Sequence, residues 1–220
     1  MFVIPKDIIR GAVFDFNGTM LWDTQIHNQA WDIFLQKYHI SLNDDEKNHL
    51  IHGKTNEDIF KTIFNDNLDI DLIHRLSGEK EEIYRYLCIE QGIDLAEGLA
   101  EFLKECFRKN IKMAIATSAN KSNVDFYLQR YDLLRWFELA NIIFNDGNMK
   151  SKPDPEIFNL AIQKLGVNRK NTVIFEDSRS GIRAAIDSGV STVVIINSNQ
   201  DNHVFDGCIT IDSFFEVKLE

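Results

Sequence analysis

The sequence predicts an α/β fold in which a doubly wound parallel sheet carries an inserted α-helical domain. The second half of the chain alternates short apolar segments with amphipathic helical segments, which is the pattern of βαβ units. A further apolar segment near the start is separated from that half by a long stretch of purely helical pattern. We therefore predict a core domain of residues 1–20 and 97–220 and a helical cap domain of residues 21–96.

The first strand is predicted at residues 12–16, where Phe14 and Phe16 favour a short buried strand. Gly18 ends it, because glycine adopts the backbone angles that a sharp exit requires. Asp15 then lies at the carboxyl end of a central strand, where open α/β sheets bind their ligands. On this stretch alone, an aspartate that caps the next helix is an equal alternative.

The stretch 21–96 is predicted to be helical throughout. Apolar residues such as Ile26 and Ala30 recur at helical spacing along it. Because the block is too long for a simple crossover between two strands, we interpret it as a separate cap with hinges near 21–23 and 95–98.

Strands and helices alternate through the second half of the chain. The strands are predicted at residues 112–117, 141–144, 172–175, 192–196 and, more weakly, 208–211, and the helices at residues 99–109, 122–131, 155–165 and 181–188. This alternation winds helices around a parallel sheet with right-handed crossovers, as in Rossmann-like folds.

Composition limits the classes of partner. The chain has 220 residues, of which 44% are hydrophobic and 26% charged, which is typical of a globular protein. Its net charge of −10 repels nucleic acid and anionic membranes, and no apolar run reaches the ~18 residues of a membrane span. The N-terminus does not resemble a signal peptide, and the three cysteines lack metal-ligand spacing. We therefore expect a cytoplasmic monomer with reduced thiols, whose partner is a small molecule.

Two hydroxyl residues follow the strand predicted at 112–117. Thr117 ends that strand, and Ser118 and Ala119 lead into a helix whose first N–H groups face any anion bound there. The alternative is that these hydroxyls only cap the helix.

Lys152 stands directly before a proline, which holds the lysine backbone extended and so fixes the direction of the side chain. Such a stiff loop directs one ammonium group at an anion with little loss of entropy. In an arbitrary chain a loop lysine is more often solvated on the surface. The second proline, Pro155, favours the fixed arrangement here.

Two adjacent acids, Glu176 and Asp177, follow the strand predicted at 172–175. They are expected beside Asp15, and three carboxylates this close repel one another unless a cation shares them. A ligand set made only of oxygen atoms suits Mg²⁺. The alternative is an acid that caps the next helix beside an exposed one.

Together these four stretches resemble the four motifs of the haloacid dehalogenase (HAD) superfamily, in the family's order and each at a strand end. The resemblance implies that Asp15 is a nucleophile toward a phosphoryl group, that Thr117 binds the phosphate, that Lys152 balances its charge, and that Mg²⁺ is the cofactor. The other positions that it assigns are Gly18, Thr19, Ser118 and Ala119 for substrate binding, and Asp15, Asn17, Glu176 and Asp177 for the metal.

Within the family, the helical stretch resembles the cap of β-phosphoglucomutase and its phosphatase relatives. His27 matches a cap residue of the mutase, and Gly53 and Lys54 match its substrate-specificity loop. Asn56 stands where the mutase has an arginine that holds the phosphate not being transferred. The resemblance therefore implies a Mg²⁺-dependent phosphatase that acts on a small phosphorylated metabolite, such as a sugar phosphate, through an aspartyl-phosphate. β-Phosphoglucomutase is the alternative enzyme, and the missing arginine argues against it.

Asn17 departs from the family motif, which has a second aspartate there as general acid and base. The backbone carbonyl that the family offers to the metal is retained, so we expect metal binding to survive. The amide cannot transfer the proton, and general acid–base catalysis is typically worth ~10²–10⁴ in rate. The open explanations are a natural variant of low or unusual activity, an engineered substitution, or another proton donor such as His27. A non-catalytic phosphate-binding protein is a further alternative.

Overall fold

The computed structural model describes residues 2–4, 8–51, 56–64, 68–144, 149–198 and 205–220. Contacts within the chain divide it into two compact units. One, the α/β unit, consists of Met1–Trp22 and Asp94–Glu220, and the other, the helical unit, consists of Asp23–Ile93.

The described residues form eight strands and eight α-helices. The strands are β1 (Phe2–Ile4), β2 (Gly11–Phe14), β3 (Lys112–Thr117), β4 (Ile142–Phe144), β5 (Thr172–Glu176), β6 (Thr192–Ile196), β7 (Ile209–Ile211) and β8 (Val217–Leu219). The helices are α1 (Thr24–Gln36), α2 (Asp44–Leu50), α3 (Asn56–Ile63), α4 (Ile70–Glu90), α5 (Leu99–Arg108), α6 (Lys121–Arg130), α7 (Glu156–Leu165) and α8 (Arg179–Asp187).

Six strands form one parallel sheet in the α/β unit, in the order β4-β3-β2-β5-β6-β7. The predicted doubly wound α/β fold is confirmed. Strand β2 pairs with β3 on one side and with β5 on the other, with Phe14 opposite both Ile115 and Phe175. Since parallel strands end at the same edge of a sheet, the residues that follow these three strands lie close together.

Successive residues of β2 face opposite sides of the sheet. Val13 packs in a core cluster that contains Phe158 of α7 and several residues of α8. Phe14, on the other side, stacks on Phe175 with ring centroids 4.9 Å apart, and both rings contact Phe102 of α5. Helices therefore cover both faces, and the strand is apolar at every position for this reason.

The strand β2 ends at Phe14, two residues before its predicted end. The carbonyl of Phe16 accepts the N–H groups of Met20 and Leu21 at 2.8 and 3.0 Å, so Phe16 belongs to the turn that follows. Its ring is buried because it stacks on Tyr127, with centroids 4.1 Å apart. The apolar character of Phe16 thus reflects side-chain packing and not membership of the strand.

A second, two-stranded sheet pairs β1 with β8 in parallel, and the sequence did not predict it. Each strand has three residues, which is too short for an alternating pattern to be recognised. Ile4 and Leu219 are paired across this sheet and buried.

The helical unit has its own apolar core. Trp31, Phe34 and Phe60 lie at its centre, with ring centroids between 5.5 and 5.8 Å apart in edge-on or tilted pairs. As predicted, the described part of this unit is helical and contains no strand. Across the whole described chain, no helix combines the length and the apolar character that crossing a membrane requires.

Candidate active site

Asp15 is the first residue after β2, and its backbone extends the sheet. Its N–H donates to the carbonyl of Phe175 at 3.0 Å. The residue is 6% exposed, and its Oδ1 lies 2.5 Å from Nζ of Lys152. A buried carboxylate at the end of the central strand is therefore ion-paired to a lysine that is distant in sequence.

Lys152 donates to two carboxylates at once. Its Nζ lies 2.5 Å from Asp15 Oδ1 and 2.6 Å from Glu176 Oε1, and it lies 4.8 Å from the centre of the Phe158 ring. Burial by itself lowers the pKa of Lys152, but the carboxylates of Asp15 and Glu176 outweigh burial and raise the pKa above its usual range. The side chain therefore stays positively charged. The peptide bond between Lys152 and Pro153 is cis.

Glu176, the last residue of β5, has both carboxylate oxygens occupied by protein donors. Oε1 accepts from Lys152, and Oε2 accepts the N–H groups of Asp177 and Ser178 at 2.7 Å each. A methyl group at Gly181 in α8 would lie 1.6 Å from Oε1, so glycine is needed there for this carboxylate to fit. Glu176 is thus enclosed between Lys152 and the first turn of α8.

Asp177 lies against the loop that follows β2. Its Oδ1 accepts the hydroxyl of Thr19 at 3.0 Å. Gly18 has a φ of +80°, and a Cβ there would lie 2.0 Å from Asp177 Oδ2, so both the backbone angle and the space require glycine. Removal from water, followed by the negative charges of Glu176 and Asp15, raises the pKa of Asp177 well above its usual range.

The donor set at this edge of the sheet fits a hard cation. The carboxylates of Asp15 and Asp177 and the backbone carbonyl of Asn17 are oxygen ligands of the kind that Mg²⁺ takes. Burial, and after it the negative charges of Glu176 and Asp15, raise the pKa of Asp177, and a bound cation would offset both effects. Within the described ranges, no three His, Cys, Asp or Glu side chains are grouped as a metal site. A cation held here would therefore complete its shell with backbone and ligand oxygens.

Thr117 is the last residue of β3, and Ser118 and Ala119 follow it before α6. The hydroxyl of Thr117 is buried and accepts the N–H of Ala119 at 3.1 Å. The cap of α6 is Asn120, whose side chain accepts the N–H of Asn123 at 2.9 Å. The alternative that the hydroxyls of Thr117 and Ser118 cap the helix is therefore wrong, because Asn120 is the cap.

Asn17 is half-buried in the loop after Asp15, and its side chain contacts α6. Its Nδ2 donates to the hydroxyl of Tyr127 at 2.8 Å. Tyr127 is 2% exposed, and its ring stacks on Phe16. A buried phenol thus holds the side chain that differs from the family motif.

The buried carboxylate of Asp15, the Lys152 ammonium paired with it, and the carboxylates of Glu176 and Asp177 therefore lie at one edge of the sheet. The sequence profile of the haloacid dehalogenase-like hydrolases matches residues 12–195 of the chain. The chain belongs to this family.

Individual members of the HAD-like family support this assignment over nearly the whole chain. The phosphorylated carbohydrates phosphatase of Thermotoga maritima is 27% identical over 199 residues, which are 88% of each chain. A HAD hydrolase of family IA from Entamoeba histolytica is 33% identical, with a TM-score of 0.88 and 96% of both chains covered. A CbbY variant from Rhodobacter sphaeroides, solved with xylulose-1,5-bisphosphate, is 26% identical, with a TM-score of 0.80 and coverage of 95% of this chain and 96% of that one.

In the helical unit of this HAD-like hydrolase, His27 is held on both sides of its ring. Its Nδ1 lies 3.3 Å from Nζ of Lys80, and its Nε2 lies 3.4 Å from Oδ2 of Asp23. The ring stacks on Tyr84, with centroids 3.9 Å apart, and the hydroxyl of Tyr84 donates to Asp23. The imidazole is therefore held between the ammonium of Lys80 and the carboxylate of Asp23.

Asn56 and Lys80 share a carboxylate that the sequence did not single out. Glu81 Oε1 lies 2.6 Å from Nζ of Lys80 and accepts Nδ2 of Asn56 at 3.0 Å. Lys80 and Glu81 are 2% and 5% exposed. Burial by itself raises the pKa of Glu81, but Lys80 and His27 outweigh it and lower the pKa to about 2. Gly53 and Lys54, the other predicted substrate-binding residues of this region, lie outside the described residues.

Tyr127 and Glu81 are the site-related residues that sequence reasoning missed. Tyr127 is 110 positions away from Asn17, and its helical spacing marks it only as a buried position of α6. Glu81 lies in a charged segment of α4 that looks solvated in the sequence. Neither contact has a local sequence signal.

Proposed function

We propose that this HAD-like hydrolase is a Mg²⁺-dependent phosphatase that hydrolyses a small phosphorylated metabolite through an aspartyl-phosphate on Asp15. The observation that carries the proposal is the buried Asp15 carboxylate at the end of the central strand, ion-paired to Lys152. Asp15 attacks phosphorus, the leaving group departs, and water then hydrolyses the acyl phosphate.

Each residue of the site has a separate role in the proposed reaction. Lys152 keeps its charge beside Asp15 and offsets the negative charge of the incoming phosphoryl group. The hydroxyl of Thr117, whose oxygen accepts the N–H of Ala119 and whose proton is left to donate, and the N–H of Ser118 serve as donors for the phosphoryl oxygens. Mg²⁺, held by Asp15, Asp177 and the Asn17 carbonyl, would neutralise charge on the phosphoryl group.

We assign Glu176 a positioning role. Its Oε1 accepts from Lys152, and its Oε2 accepts from the N–H groups of Asp177 and Ser178 and from the Ser178 hydroxyl. A direct bond to the metal would compete with these donors. Glu176 therefore holds Lys152, and Asp177 is the acid of this pair that binds the cation.

A sugar or polyol phosphate is the proposed class of substrate. The T. maritima relative is named a phosphatase of phosphorylated carbohydrates, which supports this class. The alternative, β-phosphoglucomutase, has a cation for a second phosphate where this chain has Asn56. In the described part of the helical unit, Lys80 is paired with Glu81, and Asn56 donates to the same carboxylate. These contacts argue against the mutase.

The proposal also covers domain organisation, oligomeric state and location. We propose that the helical unit is the cap domain of the enzyme. The protein works as a monomer in the cytoplasm, where its three widely spaced cysteines stay reduced.

Phosphate release from a panel of phosphorylated metabolites, with and without Mg²⁺, tests the proposal. We expect release from at least one sugar phosphate, dependence on Mg²⁺, and loss of activity in Asp15→Ala. A protein that binds phosphate esters but never releases phosphate would instead be the non-catalytic alternative that Asn17 suggests.

A further inference from the structure

The proton balance of the first step limits which phosphate esters this chain can cleave. This point rests on the proposed phosphoryl transfer to Asp15. As the new bond between Asp15 and phosphorus forms, the bond between phosphorus and the leaving oxygen breaks and leaves its electron pair on that oxygen. The oxygen then takes a proton from a donor or departs as an anion.

In the part of the chain that the structure describes, the charged and hydroxyl groups that contact Asp15, Glu176 and Asp177 are held in other contacts. Lys152 donates to Asp15 and Glu176, and loss of its proton would break two buried ion pairs. Glu176 accepts hydrogen bonds on both of its oxygens. The hydroxyl of Thr19 donates to Asp177. Each of these groups supports a neighbour by keeping its present protonation state.

Asn17, two residues after Asp15 in the loop, has a side chain that is not acidic. Its carboxamide nitrogen donates to the hydroxyl of Tyr127 at 2.8 Å, and an amide does not release a proton near neutral pH. The phenol that accepts this hydrogen bond is buried, and a phenol ordinarily has a pKa of about 10. The pair therefore orients residue 17 without making it a general acid.

We propose that turnover by this chain depends steeply on the acidity of the leaving oxygen, so that sugar and polyol phosphates, the substrates of the proposed function, are cleaved slowly, and phosphoryl groups on a more acidic oxygen, as in acyl, aryl or enol phosphates, are cleaved faster. A carboxylate or phenolate leaves as a stable anion, since the parent acids have pKa values of about 4 and 10. An alcohol is about as weak an acid as water, with a pKa of ~15.7, and its oxygen departs poorly without a proton. In the second step, water attacks phosphorus, Asp15 regains its electron pair, and the proton of the water stays with the phosphate released.

A series of aryl phosphates of graded leaving-group pKa, extended by acetyl phosphate and glycerol phosphate, tests this preference. We expect log kcat/KM of the wild type to fall steeply as the leaving-group pKa rises. Asn17→Asp is expected to flatten the slope, because it supplies the missing proton. Glycerol phosphate should gain ~10²–10⁴ in kcat/KM, and acetyl phosphate should change little.

Three variants control for other causes. Asn168→Asp is the same isosteric change at an exposed residue whose side chain accepts the N–H of Lys170, and it should leave the slope unchanged. Tyr127→Phe removes the phenol that contacts Asn17, and His27→Gln removes the imidazole named above as an alternative proton donor. Both variants should also keep the wild-type slope. A steeper slope in either variant would identify that residue as the proton donor and overturn the proposal.

The remaining outcomes separate this inference from the proposed function. A flat wild-type slope, or equal slopes in wild type and Asn17→Asp, rejects the inference while the phosphatase stands. The inference is also rejected, and the phosphatase stands, if Asn17→Asp cleaves glycerol phosphate while the wild type does not cleave even acetyl phosphate. Absence of phosphate release from every substrate by both proteins rejects the proposed function and the inference with it.

Discussion

Lys152 and Lys80 are both almost fully buried, and each is neutralised by carboxylates. Lys152 lies between Asp15 and Glu176, and Lys80 lies against Glu81. A buried ammonium without a partner costs several kcal/mol, so the partners decide whether the lysine can be there at all. Sequence rules that treat lysine as a solvated residue therefore fail at both positions.

The adjacent acids Glu176 and Asp177 should behave differently toward Mg²⁺. Asp177→Asn removes a proposed ligand, and we expect Mg²⁺ affinity to fall at least tenfold in calorimetric titration. Glu176→Gln alters a side chain whose oxygens face protein donors, so Mg²⁺ affinity should stay within a few-fold of wild type. Equal losses in the two variants would make Glu176 a direct ligand.

Tyr127→Phe tests the contact between α6 and the loop after Asp15. The change leaves the Asn17 amide without the phenol that accepts from it, and the loss of a buried hydrogen bond typically costs about 1 kcal/mol. Urea unfolding should report this loss. Tyr86→Phe is the matched control, because Tyr86 is 62% exposed and its hydroxyl should contribute little. Equal stability of all three proteins would mean that the hydrogen bond contributes nothing.

At the scale of elements, the helix α8 is fitted to the acids that precede it. Ser178 caps the helix by accepting the N–H of Gly181, and Glu176 Oε2 accepts the N–H groups of Asp177 and Ser178. Gly181 leaves room for the Glu176 carboxylate against the first turn. The start of α8 thus fixes Glu176, and Glu176 in turn fixes Lys152.

Gly181→Ala should therefore be harmful although alanine favours helix. The new Cβ would lie 1.6 Å from Glu176 Oε1, and overpacking of this kind typically costs about 1–3 kcal/mol. A displaced Glu176 also moves Lys152, so we expect kcat to fall by about 10². Gly78→Ala in α4 is the matched control. No atom lies within 4 Å of its added Cβ, and it should stabilise the protein by about 0.5–1 kcal/mol. Thermal unfolding and turnover of both variants test this expectation, and a Gly181→Ala protein as stable and active as wild type would contradict it.

The elements with local signals were predictable from the sequence. The pattern of β3 and β6 gave their bounds to the residue, and Asp15, Thr117 and Glu176 were placed at strand ends that do lie together. What the sequence did not contain were contacts between distant segments. The pairing of β1 with β8 joins the two ends of the chain, and no local pattern encodes which ends will meet.

At the scale of the whole molecule, the chain is built from two units with separate cores, and a different ion cluster is buried in each. The α/β unit buries Lys152 with Asp15 and Glu176, and the helical unit buries Lys80 with Glu81. The two clusters differ in what determines their protonation. The first lies at a proposed metal site, so a bound cation would influence it. The protonation of the second is set by the side chains around it, so its response to acid can be derived from those side chains.

Glu81 should make the helical unit sensitive to acid. Lys80 and His27 lower its pKa from the usual 4.5 to about 2, so the folded state binds this proton less readily than the unfolded chain. A lowered pKa contributes stability that is complete above about pH 4.5 and is lost as the pH falls toward 2. Glu81→Gln removes one partner of a buried pair, and we expect a loss of about 3–5 kcal/mol near neutral pH. The variant should lose less further stability than wild type on acidification, because the titrating group is gone.

Urea unfolding near neutral and near acid pH, followed by helical circular dichroism, measures both effects. Glu82→Gln, an exposed neighbour on α4, should match wild type at both pH values. A Glu81→Gln protein as acid-sensitive as wild type would assign the acid response to other carboxylates.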